Sequence, residues 1–104
     1  MTIEEIKGEN SIQLSVEGII DAETAPELQQ KILDTFRVTD SVVLDMGHVW
    51  DISSAGLGAL LVGQKTADDI NGSMKIINVL PAVMQVLDMS GVSKSLTIDN
   101  DHPA

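Results

Sequence analysis

The six residues Ser41-Val42-Val43-Leu44-Asp45-Met46 constrain this chain's fold more than any other stretch. A run so short and so apolar reads as a central strand covered on both faces, the setting that a parallel sheet provides. Parallel neighbours need crossovers of helix length, and the flanking sequence supplies them. Upstream, Ala25, Leu28, Ile32 and Phe36 recur at helical spacing as a buried stripe. Thr24-Ala25-Pro26-Glu27 has the form of a capping box, in which Thr24 bonds the Glu27 amide and Glu27 reaches back. Pro26 is harmless in the first turn, where no intrahelical donor is lost. Downstream, Leu57, Leu60, Leu61, Ala67 and Ile70 keep helical spacing until Asn71-Gly72 stops the helix. Met74 to Val79 reads as another buried strand. Pro81 then opens a third helix, with Val83, Val86 and Leu87 on one side and Gly91 at its C′ position.

The N-terminal part reads differently. Thr2 to Lys7 alternates weakly, as an edge strand does, and Gly8-Glu9-Asn10 is a turn. Ser11 to Val16 places Ile12, Leu14 and Val16 on one face, so the two segments suit a hairpin. Gly18-Ile19-Ile20-Asp21 leads into the first helix. Leu96-Thr97-Ile98 reads as a last short strand, and Asp99 to Ala104 as a frayed polar tail. The order ββαβαβα(β) predicts an α/β fold: a mixed sheet with helices packed on it, antiparallel at the start and parallel afterwards. One domain is expected over residues 1–104, with its core over residues 3–99 and a polar tail at 100–104.

Composition narrows the function classes. Trp50 and Phe36 are the only aromatic residues, so aliphatic side chains and Met must fill the core. Without cysteine, a disulfide framework or thiolate metal site is excluded. The net charge is −10, from 16 acidic and 6 basic residues, and such a surface repels nucleic-acid phosphates and anionic membranes. The same charge either keeps a small domain soluble or steers it towards a basic face on a partner. The start Met1-Thr2-Ile3-Glu4-Glu5 has neither the basic residues nor the apolar stretch of a signal peptide, and no apolar run reaches the roughly 18 residues of a membrane span. A cytoplasmic protein is expected.

The local sequence most suggestive of a site is Asp51-Ile52-Ser53-Ser54-Ala55-Gly56-Leu57-Gly58. Each glycine there costs a helix about 1 kcal/mol relative to Ala, and small residues let another backbone or a ligand approach closely. Ser53 or Ser54 is the N-cap. A helix start has free amides and the positive end of the dipole, so a phosphate placed there is tolerated by the fold and felt by whatever docks. Asp21, after a strand end, is a second candidate or else a helix cap. Asp45 is expected to be structural, orienting the Ser53-Ser54 loop by accepting its amides.

Val43-Leu44-Asp45, followed by Trp50-Asp51-Ile52-Ser53-Ser54-Ala55-Gly56-Leu57, resembles the signature of STAS domains, among them the bacterial anti-sigma factor antagonists. Gly18-Ile19-Ile20-Asp21-Ala22-Glu23-Thr24-Ala25 resembles the family's strand-to-helix link. Leu80-Pro81-Ala82-Val83 and Val86-Leu87-Asp88-Met89-Ser90-Gly91-Val92 resemble its last helix and turn, so the likeness spans residues 3–99. The resemblance implies a switch protein. Unphosphorylated, it binds an anti-sigma factor that is also a serine kinase of histidine-kinase-like ATPase fold, and so frees the sigma factor. Phosphorylation ends that binding, and a PP2C-type phosphatase resets it. Many antagonists carry an acidic residue, then the phosphorylated serine, then Ser or Thr before Gly-Leu. Those places here hold Ser53, Ser54, Ala55, Gly56 and Leu57, which makes Ser54 the expected acceptor and Ser53 the second choice. The implied partner contacts are Asp21, Thr24, Ser53, Ser54, Ala55, Gly56 and Leu57.

Enzyme chemistry finds little support. Ile52 stands where a nucleophile elbow needs its first glycine. His48 reads as a loop residue without an acidic orienter, and His102 lies in the tail. There is no phosphate-binding glycine loop and no metal-ligand spacing, and Asp68-Asp69 reads as a solvated helix face. The alternative to a switch is a STAS subunit of a larger lipid-transport or stress-sensing assembly that needs no phosphorylation. No cofactor is expected on either reading.

Overall fold

The computed structural model describes residues 1–100. Along the chain run β1 (Thr2–Lys7), β2 (Ile12–Ile20), α1 (Ala25–Thr35), β3 (Ser41–Ile52), α2 (Ser54–Asp69), β4 (Ser73–Ile77), α3 (Pro81–Met89), a 3-10 turn (Val92–Ser95) and β5 (Thr97–Asp99). They build one five-stranded sheet in the order β1-β2-β3-β4-β5. β1 runs antiparallel to β2, and every later pair is parallel. Spatial order follows chain order because each crossover returns the chain to the next open edge. The architecture is the mixed α/β sheet that the alternating sequence predicts.

The core lies under one face of the sheet. Leu14, Ile20, Val42, Leu44, Met46, Met74 and Ile76 are buried there against Leu28 and Ile32 of α1, Leu60 of α2 and Leu87 of α3. The expectation that Ser41 to Met46 is covered on both faces is not met. Val42, Leu44 and Met46 are buried, whereas Ser41, Val43 and Asp45 on the other face are half-buried. That face carries Gln13 and Ser15 beside them, so β3 obeys the alternation of a one-sided sheet. Val43 alone made the run look continuous.

β3 is also longer than expected. His48, Trp50 and Asp51 lie in the strand, not in a loop, because β3 stays paired with β2 as far as Ile52. The register shifts between Ser15 and Glu17 and again between Gly18 and Ile19. Such bulges re-aim side chains, and they keep Val49 and Ile52 on the buried side. Gly18 has φ +120°, a conformation that a side chain rarely adopts.

The helix ends are well defined. Asn71, at φ 55°, terminates α2: its amide donates to Asp68 O and the Gly72 amide to Ala67 O, the two bonds of a Schellman motif. Leu61 on α2 and Ile70 at its C-cap, both read as keeping helical spacing, are exposed, and the core face of the helix is Gly56, Ala59, Leu60, Gly63 and Ala67. Small residues there let the helix lie close to the sheet: a Cβ at Gly63 would stand 2.8 Å from Met74 Sδ. The polar end expected from Asp99 onwards is tied in as far as Asn100. Asp99 closes β5, and the Asn100 side chain accepts from Val79 N at 2.8 Å and donates to Val79 O at 3.1 Å. Residues 101–104, and with them His102, lie outside the described residues.

Candidate functional site

β2 and β3 end side by side, with Ile20 paired to Ile52 and the Ser53 amide donating to Ile20 O at 2.8 Å. Two strand-to-helix links, Asp21–Thr24 and Ser53–Ser54, are thereby brought together at one end of the sheet. At the first, Asp21 Oδ1 accepts the amides of Glu23 at 2.9 Å and Thr24 at 3.1 Å. The Thr24 hydroxyl accepts the Asp21 amide at 2.9 Å and donates to Ile19 O at 2.8 Å. Thr24 does occupy the N-cap, but its side chain makes no bond into α1, so the capping box does not form. Asp21, by bonding the Glu23 and Thr24 amides, takes the donor that Glu27 would have reached, and the Thr24 hydroxyl is already spent on the Asp21 amide and Ile19 O. Those amides, Thr24's first and Glu23's second, hold the Asp21 carboxyl below the ordinary carboxylate value.

The second link is looser. Ser53 is the N-cap of α2, and its Oγ accepts from the Gly56 amide at 3.4 Å. Ser54 is the first helical residue and is exposed, as is Ala55. The amides of Ser54 and Ala55 belong to the first helical turn, which has no intrahelical acceptors. No acidic side chain sits in that turn.

The two glycines divide. Gly56 is buried, and a Cβ there would stand 2.5 Å from Ile52 Cγ1 and 2.7 Å from Ile20 Cγ2. Its small size therefore seats α2 on the strand ends. Gly58 has nothing within 4 Å of where a Cβ would be, among the described residues. Internal packing does not ask for glycine at that position. Leu57 is half-buried against the core. Between the starts of α1 and α2 runs a groove of about 360 Å³, walled by Ala22, Ala25, Pro26, Gln29, Gln30 and Ala55.

The fold thus gathers Asp21, Thr24, Ser53, Ser54, Ala55, Gly56 and Leu57 at one end. Asp45 stands apart: its Oδ1 accepts from the Gly47 amide at 2.9 Å and from Asn78 Nδ2 at 3.2 Å. It organises the middle of β3 and the end of β4, and not the Ser53-Ser54 link. His48 lies across the ladder from Glu17. Sequence reasoning missed Ile19 and Trp50, which stand exposed near the same end of the sheet. Alternation with Ile20 could have found Ile19, but not Trp50: it stands two residues from buried Ile52, and only the bulge against β2 turns it outwards. Among the described residues no group of three or more His, Asp or Glu side chains gathers to hold a metal, and no helix is long and apolar enough to cross a membrane.

The fold has known counterparts. The STAS domain profile matches residues 2–103, and the chain belongs to the STAS domain family. It is 30% identical over 87 residues to the anti-sigma F factor antagonist of Paenibacillus polymyxa, covering 81% of this chain and 74% of that protein. It is 26% identical over 92 residues to the anti-sigma-B factor antagonist of Bacillus subtilis, covering 88% and 84%. A crystal structure of an anti-sigma factor antagonist from Mycobacterium paratuberculosis has the same fold, with a TM-score of 0.82 at 24% identity over 93% of this chain and 83% of that one.

Proposed function

We propose that the chain is an anti-sigma factor antagonist switched at Ser54. Unphosphorylated, it binds an anti-sigma factor of the serine-kinase type and releases the sigma factor; phosphate on Ser54 ends the complex, and a PP2C-type phosphatase restores it. The observation that carries this reading is the exposed Ser54 hydroxyl at the first position of α2, beside two amides with no intrahelical acceptor. Ser53 is half-buried and spends its oxygen on the cap, which favours Ser54 as the acceptor. A phosphoryl group at a helix start gains from the dipole and leaves the fold intact. The relatives named as antagonists support the same role. Gly58, open on the next turn of the same helix, suits a partner backbone that comes close.

Mass spectrometry of the protein from its native host, alongside Ser54→Ala, tests the site. Phosphate on Ser54 that disappears in the variant supports the switch. Phosphate on Ser53 moves the site by one residue. No phosphate under varied growth conditions replaces the switch with a constitutive subunit of a larger assembly, in which Ser54 only begins a helix.

A further inference from the structure

We infer that Trp50 and Ile19 form the apolar anchor of a docking surface extending from the start of α2 onto the open face of the sheet. Its occupant is a partner that offers an apolar cleft rimmed with Lys and Arg. The inference rests on the switch reading only for that partner's identity, the anti-sigma factor.

Trp50 is 58% exposed and Ile19 49%, although the chain's other aromatic residue, Phe36, is buried. The ladder makes them neighbours: Gly18 pairs with Val49 and Ile19 with Asp51, so Trp50 is the extra residue of a bulge opposite the Gly18–Ile19 peptide. Both alternate with buried residues, Val49 and Ile20, and so share the face turned away from the helices. Four residues of strand-like chain place Ser54 within about 13 Å of Trp50. Trp50 leaves more than half of its surface in water, outside the core, and it is the residue type that dominates interface energies.

Charge identifies the occupant. No Lys or Arg occurs from Gly8 to Gln30 or from Val38 to Gln64, the stretches that build β2, β3 and the starts of both helices. Glu17, Asp21, Glu23, Glu27 and Asp51 stand at this end instead. Lys7 and Arg37 lie at the opposite end of the sheet, while Lys31 bonds Glu5 at 3.1 Å and Lys65 bonds Asp69 at 3.3 Å. An aromatic anchor with an acidic rim is complementary to an apolar cleft with a basic rim. The phosphate adds charge that such a partner still attracts at long range. Release must therefore come from the cost of burying a dianion in close contact, which raises the dissociation rate.

Trp50 is the only Trp, so the chain labelled with 5-fluorotryptophan has a single ¹⁹F resonance. Purified anti-sigma factor kinase from the same genome serves as the probe. In the complex, that resonance is expected to shift and to lose its solvent isotope effect. Trp50→Ala should weaken binding by about 30-fold or more, as hot-spot truncations do, with Trp50→Phe recovering part of the loss. Lys7→Ala, at the far end, should change affinity less than about twofold, and association should slow about tenfold or more between low and high salt. An unchanged resonance, or wild-type affinity in Trp50→Ala, overturns the anchor. If Ser54→Glu abolishes binding while Trp50 stays solvent-exposed, the switch stands and the anchor falls. If Trp50 is buried and Ser54→Glu binds as wild type, the reverse holds. No complex with the unmodified chain overturns both.

Discussion

The starts of α1 and α2 lie side by side after adjacent strands, yet they are finished in opposite ways. At α1, the Asp21 carboxylate occupies the amides of Glu23 and Thr24, the Thr24 hydroxyl ties the link to Ile19, and Glu27 adds charge to the first turn. At α2, one serine oxygen at 3.4 Å is the whole cap, and the first turn is free of acid. One helix start carries its own anion. The other leaves that place open, next to a serine. For the proposed switch the asymmetry matters, because a phosphate added at α1 would meet the carboxylates of Asp21 and Glu27.

The largest expected effect comes from unseating α2. Gly56→Ala should cost about 1–3 kcal/mol in urea denaturation, because its methyl overlaps Ile52 and Ile20; a neutral result would mean that α2 is not pinned at this end. Next comes the tied link. Asp21→Ala should lower the denaturation midpoint more than Ser53→Ala does, and equal losses would erase the contrast between the two starts. The pH dependence follows from the carboxyl's depressed pKa. Asp21 contributes its stability above the ordinary value of 3.8 and loses it as pH falls through the lower folded value. The gap between wild type and Asp21→Asn should therefore close in strong acid.

Smaller effects sharpen the picture. Gly58→Ala should stabilise by about 0.5–1 kcal/mol, since a helix interior prefers Ala and the space is open. If the same change weakens binding to the anti-sigma factor, the glycine serves the partner and not the fold. Ser54→Glu should raise stability by about 0.3–1 kcal/mol through the helix dipole while abolishing the complex; a destabilised variant would contradict the open anion place at α2.

The sequence made the helix stripes legible because Ala25, Leu28, Ile32 and Phe36 repeat at one period whatever surrounds them. The full length of β3 was not legible. Two bulges against β2 break the alternation just where His48, Trp50 and Asp51 look like loop, and register belongs to the pair of strands, not to either alone. The capping box at Thr24 failed for a related reason: Asp21 took the Thr24 amide that Glu27 would have reached, and the Thr24 hydroxyl turned back to the Asp21 amide and Ile19 O. Small residues pointed to the site, but they could not separate Gly56 from Gly58. Ile20, which crowds Gly56, is distant in the chain and comes close only through the β2–β3 pairing.

The close seat of Gly72 has a mechanical consequence. A Cβ there would overlap Asp40 O, the same carbonyl that accepts the Ser73 amide at 2.8 Å. The far end of α2 is thus clamped to the start of β3, as its near end is seated on Ile20 and Ile52 by Gly56 and by the Ser53 amide's bond to Ile20 O. A helix of 16 residues is about 24 Å long. Seated at both ends, that rod presents Ser54 to a partner on a rigid support.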